Sequence, residues 1–237
     1  MTKAHDYRSE IYDTYSSISG LNAYLPSKYL SLVRNVRPRL IPHKSTGRLL
    51  DIGSGQGELL SLCADLGLEA EGVDISLELV ESCMARGLKV TLTSDVLGFL
   101  RCCSNDRTIV TMIDVLEHFT KAEAAELLNL IRSRVLQPGG KIIIQVPNMQ
   151  SPFAALNFFH DMTHEWAYTE SSITQLLRNA GFREVEVVPS DYPMRGKFVI
   201  RHWLRRLYYA FLRCILVIDQ PNRSCILTPN LIAVGCL

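Results

Sequence analysis

The feature that most constrains the fold of this chain is an alternation of two patterns that begins near Arg48. Short runs rich in Ile, Leu and Val are each followed by a longer stretch with apolar residues at helical spacing. Continuous apolar runs separated by helices are typical of a parallel sheet that is covered on both faces. We therefore predict an α/β fold with a doubly wound, mostly parallel sheet. The strands are predicted at residues 48–52, 70–73, 89–92, 108–113, 141–146, 183–188 and 230–235.

The predicted helices divide the chain further. They lie at residues 58–66, 77–86, 121–136 and 170–180. The turn sequence Gln-Pro-Gly-Gly at 137–140 is expected to end the third helix, and Gly181 the last. We predict a helical lead-in at residues 1–47 and one main domain at 48–237. Within that domain, two segments stand apart: residues 147–169, after the fifth strand, and a basic, aromatic insertion at 189–229.

Charge and cysteine content exclude several classes of protein. The formal net charge of +1 provides no field that would attract nucleic acid, so we expect no nucleic-acid partner. The seven cysteines include no CxxC pair and no Cys/His spacing typical of a metal site. We therefore expect free thiols, a reducing cytoplasm and no metal. The N-terminal residues lack the apolar segment of a signal peptide, which also favours a cytoplasmic location.

A glycine-rich turn follows the first predicted strand. The segment from Leu49 to Leu59 runs from a buried strand through glycines into a helix, so a nucleotide-like ligand can approach the backbone closely. A dinucleotide fingerprint needs glycine at its first, third and sixth positions, but the sixth position counted from Gly53 is Glu58. Asp51 and Glu58 would repel a pyrophosphate but suit a cationic sulfonium. The pattern disfavours NAD and favours S-adenosylmethionine.

The turn sequence Asp-Ile-Gly-Ser-Gly-Gln-Gly at 51–57 resembles that of class I S-adenosylmethionine-dependent methyltransferases, and the resemblance extends over residues 45–188. It implies the strand order 3-2-1-4-5-7-6 with the seventh strand antiparallel. It also implies that Asp74 binds the ribose hydroxyls and that Asp95 binds the adenine amino group, with helix capping as the alternative for Asp95. The cofactor-binding residues implied are Asp51, Gly53, Ser54, Gly55, Gly57, Asp74, Ile75, Asp95, Val96, Asp114 and Val115.

Two further segments match the same family. Residues 112–119 are close to its acid-x-leucine-glutamate-histidine pattern, whose backbone is expected to line the methionine half of the cofactor. For Asp114, capping of the following loop is an equal alternative. The Leu-x-Pro-Gly-Gly sequence at 136–140 matches the turn before the fifth strand, and the resemblance makes it architectural.

The acceptor is expected to face residues 147–169, because ligands of such sheets bind beyond the carboxyl ends of the strands. An alcohol needs a general base, and histidine has a suitable pKa. We rank His164 first, oriented by Asp161 or Glu165, then His160, then His118, with structural roles as the alternative for each. The segment resembles methyltransferases encoded with polysaccharide and lipopolysaccharide assembly enzymes. This implies O-methylation of a saccharide or lipid-linked glycan intermediate.

The insertion contains a predicted amphipathic helix at residues 200–218, in which arginines punctuate aromatic and aliphatic residues. Arg213 and Asp219 leave too short an uncharged run for a membrane span. The helix is expected to pack on the sheet, form a homodimer, lie on the inner face of the membrane or bind an acidic protein partner. Five tyrosines of the lead-in either pack or cover the cofactor. They are Tyr7, Tyr12, Tyr15, Tyr24 and Tyr29.

The sequence alone leaves three alternatives to this function. The chain could methylate another small molecule, such as a quinone precursor, a phenol or an amine. It could be a non-catalytic partner subunit with a methyltransferase fold. A nicotinamide-dependent oxidoreductase is disfavoured by Glu58 in place of the third fingerprint glycine.

Overall fold

The computed structural model describes residues 26–40, 47–190, 199–219 and 225–237. Within these ranges the strands form one sheet in the order 3-2-1-4-5-7-6, as predicted. β7 runs antiparallel to both of its neighbours, and the other pairs are parallel. The strands are β1 Arg48–Ile52, β2 Glu69–Asp74, β3 Val90–Leu92, β4 Arg107–Ile113, β5 Leu136–Pro147, β6 Glu184–Ser190 and β7 Asn230–Cys236.

Helices lie between the strands, as the alternation predicts. In chain order they are α1 Pro26–Asn35, α2 Arg37–Leu40, α3 Glu58–Asp65, α4 Leu77–Ala85, α5 Val96–Arg101, α6 Lys121–Leu130, α7 Ala154–Phe159, α8 Glu170–Asn179 and α9 Val199–Asp219. A 3₁₀ turn, Leu116–His118, follows β4, and a π-helical turn, Ile131–Val135, follows α6. The short helices α5 and α7 were not predicted from the sequence.

The prediction was wrong at the start of β5. Helical structure runs from Lys121 through the π-helical turn to Val135, one residue short of the predicted end, but β5 begins at Leu136 rather than at Lys141. Arg107 pairs with Leu136 and the next pair joins Ile109 to Lys141, so the residues between form a bulge on β5. The Pro-Gly-Gly sequence therefore distorts a strand that has already begun, rather than forming the turn before it.

Apolar side chains cover both faces of the sheet. In β5, Ile142 and Ile144 belong to one buried cluster, whereas Ile143 belongs to the other. Successive strand residues point to opposite faces, so a strand between two helical layers must be apolar throughout. All seven cysteines are free thiols, as expected.

The helix α9 has its apolar face outward. Arg205, Tyr209, Leu212 and Leu216, at helical spacing on one side, are half-buried. The exposed apolar residues of α9 are Ile200, Trp203, Leu204, Leu207, Tyr208, Phe211, Ile215 and Ile218. Among the described helices, none is both long enough and apolar enough to cross a bilayer.

Candidate active site

The glycine turn after β1 is open on one side. Gly53 has a φ of +71° and Gly55 a φ of +53°, in the left-handed region that favours glycine. A Cβ atom on Gly53 would lie 2.4 Å from Cγ2 of Val115, so the loop after β4 packs directly on the turn. A Cβ atom on Gly55 would meet no described atom within 4 Å. A ligand can therefore lie against the backbone at Gly55.

Asp51 is buried beneath this turn. Its side chain accepts a hydrogen bond of 2.7 Å from the Thr111 hydroxyl. Burial raises the pKa of Asp51 to about 7, while the Thr111 hydrogen bond and the charge of Lys28 oppose the shift. The negative charges of Asp74 and Glu58 raise the pKa further. A cation bound at the turn would favour the ionised carboxylate.

Asp74, at the end of β2, ties the turn to the neighbouring strand. Its Oδ2 accepts from the Gly55 N–H at 2.7 Å, and its Oδ1 accepts from the Ser76 N–H at 2.9 Å. Each carboxylate oxygen can accept a further hydrogen bond, and the side chain is half-exposed. The proposed ribose contact is therefore compatible with this geometry, and it remains a prediction.

Asp95 caps the helix α5, the alternative weighed from the sequence. Its Oδ1 accepts a hydrogen bond of 2.8 Å from the Gly98 N–H. The residue is exposed, so its second oxygen can still reach a ligand. Ile75 and Val96, each next to one of the two acids, are half-buried. The hydrogen bond from Gly98 does not test whether Asp95 and Val96 contact the adenine, and these contacts remain predictions.

Asp114, directly after β4, adopts an unusual backbone conformation. Its φ of +57° lies in the left-handed region, which is uncommon for a residue other than glycine. Both carboxylate oxygens accept from Nε2 of Gln145, at 3.0 and 3.1 Å, and Oδ1 also accepts from Asn230 at 3.4 Å. These bonds hold the bend that presents Val115 to the glycine turn.

The three candidate histidines meet beside that loop. The backbone N–H groups of Glu165 and Trp166 donate to the carbonyl oxygen of Glu117, at 2.8 and 3.0 Å. This pairing brings His164 to His118, with ring centroids 4.9 Å apart. The exposed His160 lies farther out, with its ring 5.6 Å from that of His164.

The orientation of His164 differs from the prediction. Nδ1 of His164 donates to the carbonyl oxygen of Phe158 at 2.8 Å, so a backbone group rather than a carboxylate orients the ring. Asp161 acts on His118 instead. It accepts from the Thr163 hydroxyl at 2.6 Å, and that hydroxyl oxygen lies 2.7 Å from Nδ1 of His118. The Thr163 hydroxyl therefore links Asp161 to the His118 ring.

Burial controls the ionisation of this cluster. It lowers the pKa of His118 to about 4, with a further contribution from the neighbouring His164. Burial also raises the pKa of Glu117, which is 1% exposed, and the charge of Asp114 adds to the shift. Oε2 of Glu117 has no hydrogen-bond partner among the described residues. Sequence reasoning missed Glu117 as a site residue, although it precedes His118 in the motif.

The tyrosines of the lead-in are only partly described. Tyr29 packs against a core cluster, and its hydroxyl donates to Asp65 at the end of α3 opposite the glycine turn. Tyr29 therefore has a packing role and does not cover the turn. Tyr7, Tyr12, Tyr15 and Tyr24 lie outside the described residues.

Comparison with known proteins identifies the family. The sequence matches the model of the methyltransferase domain family over residues 22–187. The chain belongs to this family. The prediction of a methyltransferase whose cofactor is S-adenosylmethionine is thus confirmed. Among curated proteins, no sequence matches the chain significantly.

Solved structures share the fold of this methyltransferase. An S-adenosylmethionine-dependent methyltransferase from Archaeoglobus fulgidus is 24% identical, with a TM-score of 0.64 over 87% of this chain and 93% of the other. One from Thermotoga maritima is 17% identical, with a TM-score of 0.62 over 96% and 97%. Phosphoethanolamine N-methyltransferase 2 of Haemonchus contortus, solved with S-adenosylmethionine, is 18% identical, with a TM-score of 0.60 over 98% and 58%.

Proposed function

We propose that this methyltransferase methylates a hydroxyl group of a saccharide or of a lipid-linked glycan intermediate. The observation that carries the proposal is the pair His118 and His164 beside the loop that packs on the glycine turn. Aromatic rings lie next to this pair: the Phe158 ring is 5.3 Å from that of His164 and 5.3 Å from that of Phe159, which is 76% exposed. Aromatic faces next to polar side chains are a common way to bind a sugar ring.

The chemistry requires an activated hydroxyl held in line with the methyl group. The hydroxyl oxygen forms a bond to the methyl carbon while the carbon–sulfur bond breaks. The sulfonium becomes the neutral thioether of S-adenosylhomocysteine, and the hydroxyl proton passes to a base. Alignment supplies much of the rate, with effective molarities of about 10⁵ to 10⁸ M in well-oriented reactions. We assign the base to Nε2 of His164, because Nδ1 of this ring donates to Phe158.

The cofactor is proposed to lie along the carboxyl edge of β1, β2 and β4. Its negatively charged neighbours are Asp51 and Asp74, and its backbone contacts come from the open face of Gly55. The full proposed set is Asp51, Gly53, Ser54, Gly55, Gly57, Asp74, Ile75, Asp95, Val96, Asp114 and Val115.

A matched pair of glycine variants tests the cofactor site. Gly55 and Gly67 both have left-handed φ values, and a Cβ atom on either meets no described atom within 4 Å. Gly55→Ala and Gly67→Ala should therefore lose similar stability, about 1–2 kcal/mol. Only Gly55→Ala should weaken S-adenosylmethionine binding in calorimetric titration, because its methyl group occupies the ligand's place. Equal affinities in the two variants would contradict the proposed cofactor position.

An acceptor panel tests the substrate class. Transfer of a radiolabelled methyl group from S-adenosylmethionine is measured with saccharides, lipid-linked saccharides, quinone precursors, phenols and amines. We expect transfer to a saccharide hydroxyl, with the rate lowered about 10²- to 10⁴-fold in His164→Ala. Transfer only to one of the other classes would replace the saccharide proposal. Cofactor binding without any transfer would favour a non-catalytic partner subunit.

The outward face of α9 supports a membrane-associated acceptor. Its exposed apolar residues form a stripe at helical spacing, with Leu207 and Phe211 near the middle. The exposed Arg206 and Arg213 lie on the opposite side of the helix from the middle of this stripe. An apolar face with arginines on the opposite, polar face is typical of a helix that lies at an anionic membrane surface. We infer that α9 rests on the inner leaflet and brings the enzyme to a lipid-linked acceptor.

A further inference from the structure

We propose that Glu117, His118 and His164 bind a divalent metal ion at the acceptor side of the cofactor turn. The ligand set, two imidazoles and one carboxylate, favours a borderline ion such as Zn²⁺ over Mg²⁺ or Ca²⁺. The sequence predicts no such site, because the ligands come from two segments far apart in the chain.

The donor atoms are already close together. One ligand atom from each residue lies within 4.8 Å of the other two. Bonds of about 2.0–2.2 Å to a tetrahedral ion place ligand atoms about 3.3–3.6 Å apart. Side-chain movements on the order of 1 Å therefore bring all three within bonding distance. The backbone bonds from Glu165 and Trp166 to Glu117 hold the two segments together without help from the ion.

The hydrogen bonds of both imidazoles resemble those of metal ligands. Nδ1 of His164 donates to the Phe158 carbonyl, which assigns the lone pair of this ring to Nε2. Nδ1 of His118 lies 2.7 Å from the Thr163 hydroxyl oxygen, and the same ring also forms a hydrogen bond with the backbone of Asp114. A ligating histidine commonly donates its other N–H to a carbonyl or to a group held by a carboxylate. Asp161 completes this arrangement for His118 by accepting from Thr163.

Glu117 provides a second observation, independent of the distances, that is consistent with a bound cation. Its side chain is 1% exposed, and its Oε2 has no partner among the described residues. Burial favours the neutral acid at this position, and a metal ion that displaces the acidic proton would give Oε2 a partner. A divalent ion at this point would neutralise the cluster.

The role of the ion rests on the proposed function. Three protein ligands leave a coordination position open, and a hydroxyl bound there becomes more acidic. The hydroxyl proton then leaves to water, and the metal-held oxygen forms its bond to the methyl carbon as the carbon–sulfur bond breaks. Nε2 of His164 cannot bind the ion and accept the proton at the same time, so it is the base in the metal-free protein and a ligand in the metal-bound protein, where the metal activates the acceptor.

Cobalt titration of the chelator-treated full chain tests the site directly. Co²⁺ substitutes for Zn²⁺, and its visible absorption reports coordination by nitrogen and oxygen ligands. We expect one saturable Co²⁺ site in the wild type, lost in His164→Ala and in Glu117→Gln. His160→Ala is the matched control, because this neighbouring imidazole lies outside the ligand set, and it should retain the site.

Circular dichroism shows whether each variant is folded. If His164→Ala does not fold, the isosteric variant Glu117→Gln still shows whether loss of a ligand abolishes the Co²⁺ site. Absence of a saturable Co²⁺ site in the folded wild type would overturn the proposal. Equal Co²⁺ affinity in wild type, Glu117→Gln and His160→Ala would overturn it as well. Co²⁺ binding without methyl transfer to any acceptor would support the metal site and contradict the proposed function. Full transfer activity in chelated protein would contradict the metal's role in the reaction.

Discussion

Asp51 is 2% exposed, yet it lies under the turn at which a cationic cofactor is proposed to bind. Its folded-state pKa of about 7 exceeds the ordinary value of 3.8, because burial disfavours the charged form. Ionisation is therefore harder in the folded state, and Asp51 costs stability as the pH rises from 3.8 to about 7. A bound sulfonium reverses this preference, because it attracts the ionised carboxylate.

This linkage predicts pH-dependent cofactor binding. S-adenosylmethionine affinity should rise with pH up to about 7 and then level off, because the free protein must release the Asp51 proton below that pH. Thr111→Val removes the hydrogen bond that favours the ionised form, so the plateau should move to higher pH. Calorimetric titrations across this range measure both profiles. In Asp51→Asn the rise in S-adenosylmethionine affinity with pH should be absent. If this variant kept the wild-type pH profile, the group that titrates would be a residue other than Asp51.

The cofactor residues and the histidine cluster differ in how far they could be predicted. The proposed cofactor residues follow strand ends in a short motif, so Asp51, Gly53 and Asp74 could be proposed from local sequence alone. The contact between His118 and His164 could not. Thr163, 45 positions after His118, precedes His164 in a loop, and only tertiary hydrogen bonds to Glu117 bring the two rings together. No local pattern encodes that pairing.

At the scale of elements, predictability follows the length and burial of each apolar run. β1 was predicted at its observed bounds, because its five residues lie in the core between two clear breaks. β5 was misjudged at its start, because Pro and Gly residues are tolerated in a bulge as well as in a turn. The helices α5 and α7 have six residues each, too few to show a helical repeat above the surrounding loop.

The start of α6 predicts a stability effect that is separate from cofactor binding. Thr120 Oγ1 accepts from the Glu123 N–H at 3.3 Å, and Oε2 of Glu123 accepts from the Thr120 N–H at 2.8 Å. Loss of such a cap costs about 1 kcal/mol, so Thr120→Ala should lower the free energy of unfolding by that amount. Thr120→Ser keeps the oxygen and should remain within a few tenths of a kcal/mol of the wild type.

Urea denaturation of the three proteins measures the difference, and S-adenosylmethionine affinity should be the same in all of them. Equal stability of the Ala and Ser variants would show that the capping box contributes nothing. A loss of cofactor affinity in Thr120→Ala would mean that α6 also positions the 3₁₀ turn that carries Glu117 and His118.

At the scale of the whole molecule, α9 connects to the acceptor edge of the sheet. The chain returns from this helix to Ile226, whose carbonyl accepts from Nδ2 of Asn148 at 2.7 Å. The same amide donates to the Thr228 carbonyl at 2.8 Å. Asn148 directly follows β5, at the carboxyl edge where the acceptor is proposed to bind. If α9 lies on a membrane, that membrane is therefore close to Ile226 and Asn148, which border the proposed acceptor site.

This arrangement predicts binding to anionic vesicles. The protein should co-sediment with vesicles of phosphatidylcholine and phosphatidylglycerol, and much less with phosphatidylcholine alone, because Arg206 and Arg213 contribute about 1 kcal/mol each. The double change Arg206→Gln and Arg213→Gln should weaken partitioning by about 30-fold. Leu207→Glu, on the apolar stripe of α9, should abolish it. Leu77→Glu is the control, because Leu77 is 57% exposed on α4, compared with 66% for Leu207.

Sedimentation velocity separates this outcome from self-association through the same face. If the wild type dimerises without vesicles and Leu207→Glu is monomeric, a second copy covers α9 and the membrane proposal is wrong. Equal binding to neutral and anionic vesicles would remove the role of the arginines. A monomer that binds only anionic vesicles would place the acceptor edge close to the lipid surface, where a lipid-linked saccharide presents its hydroxyl groups.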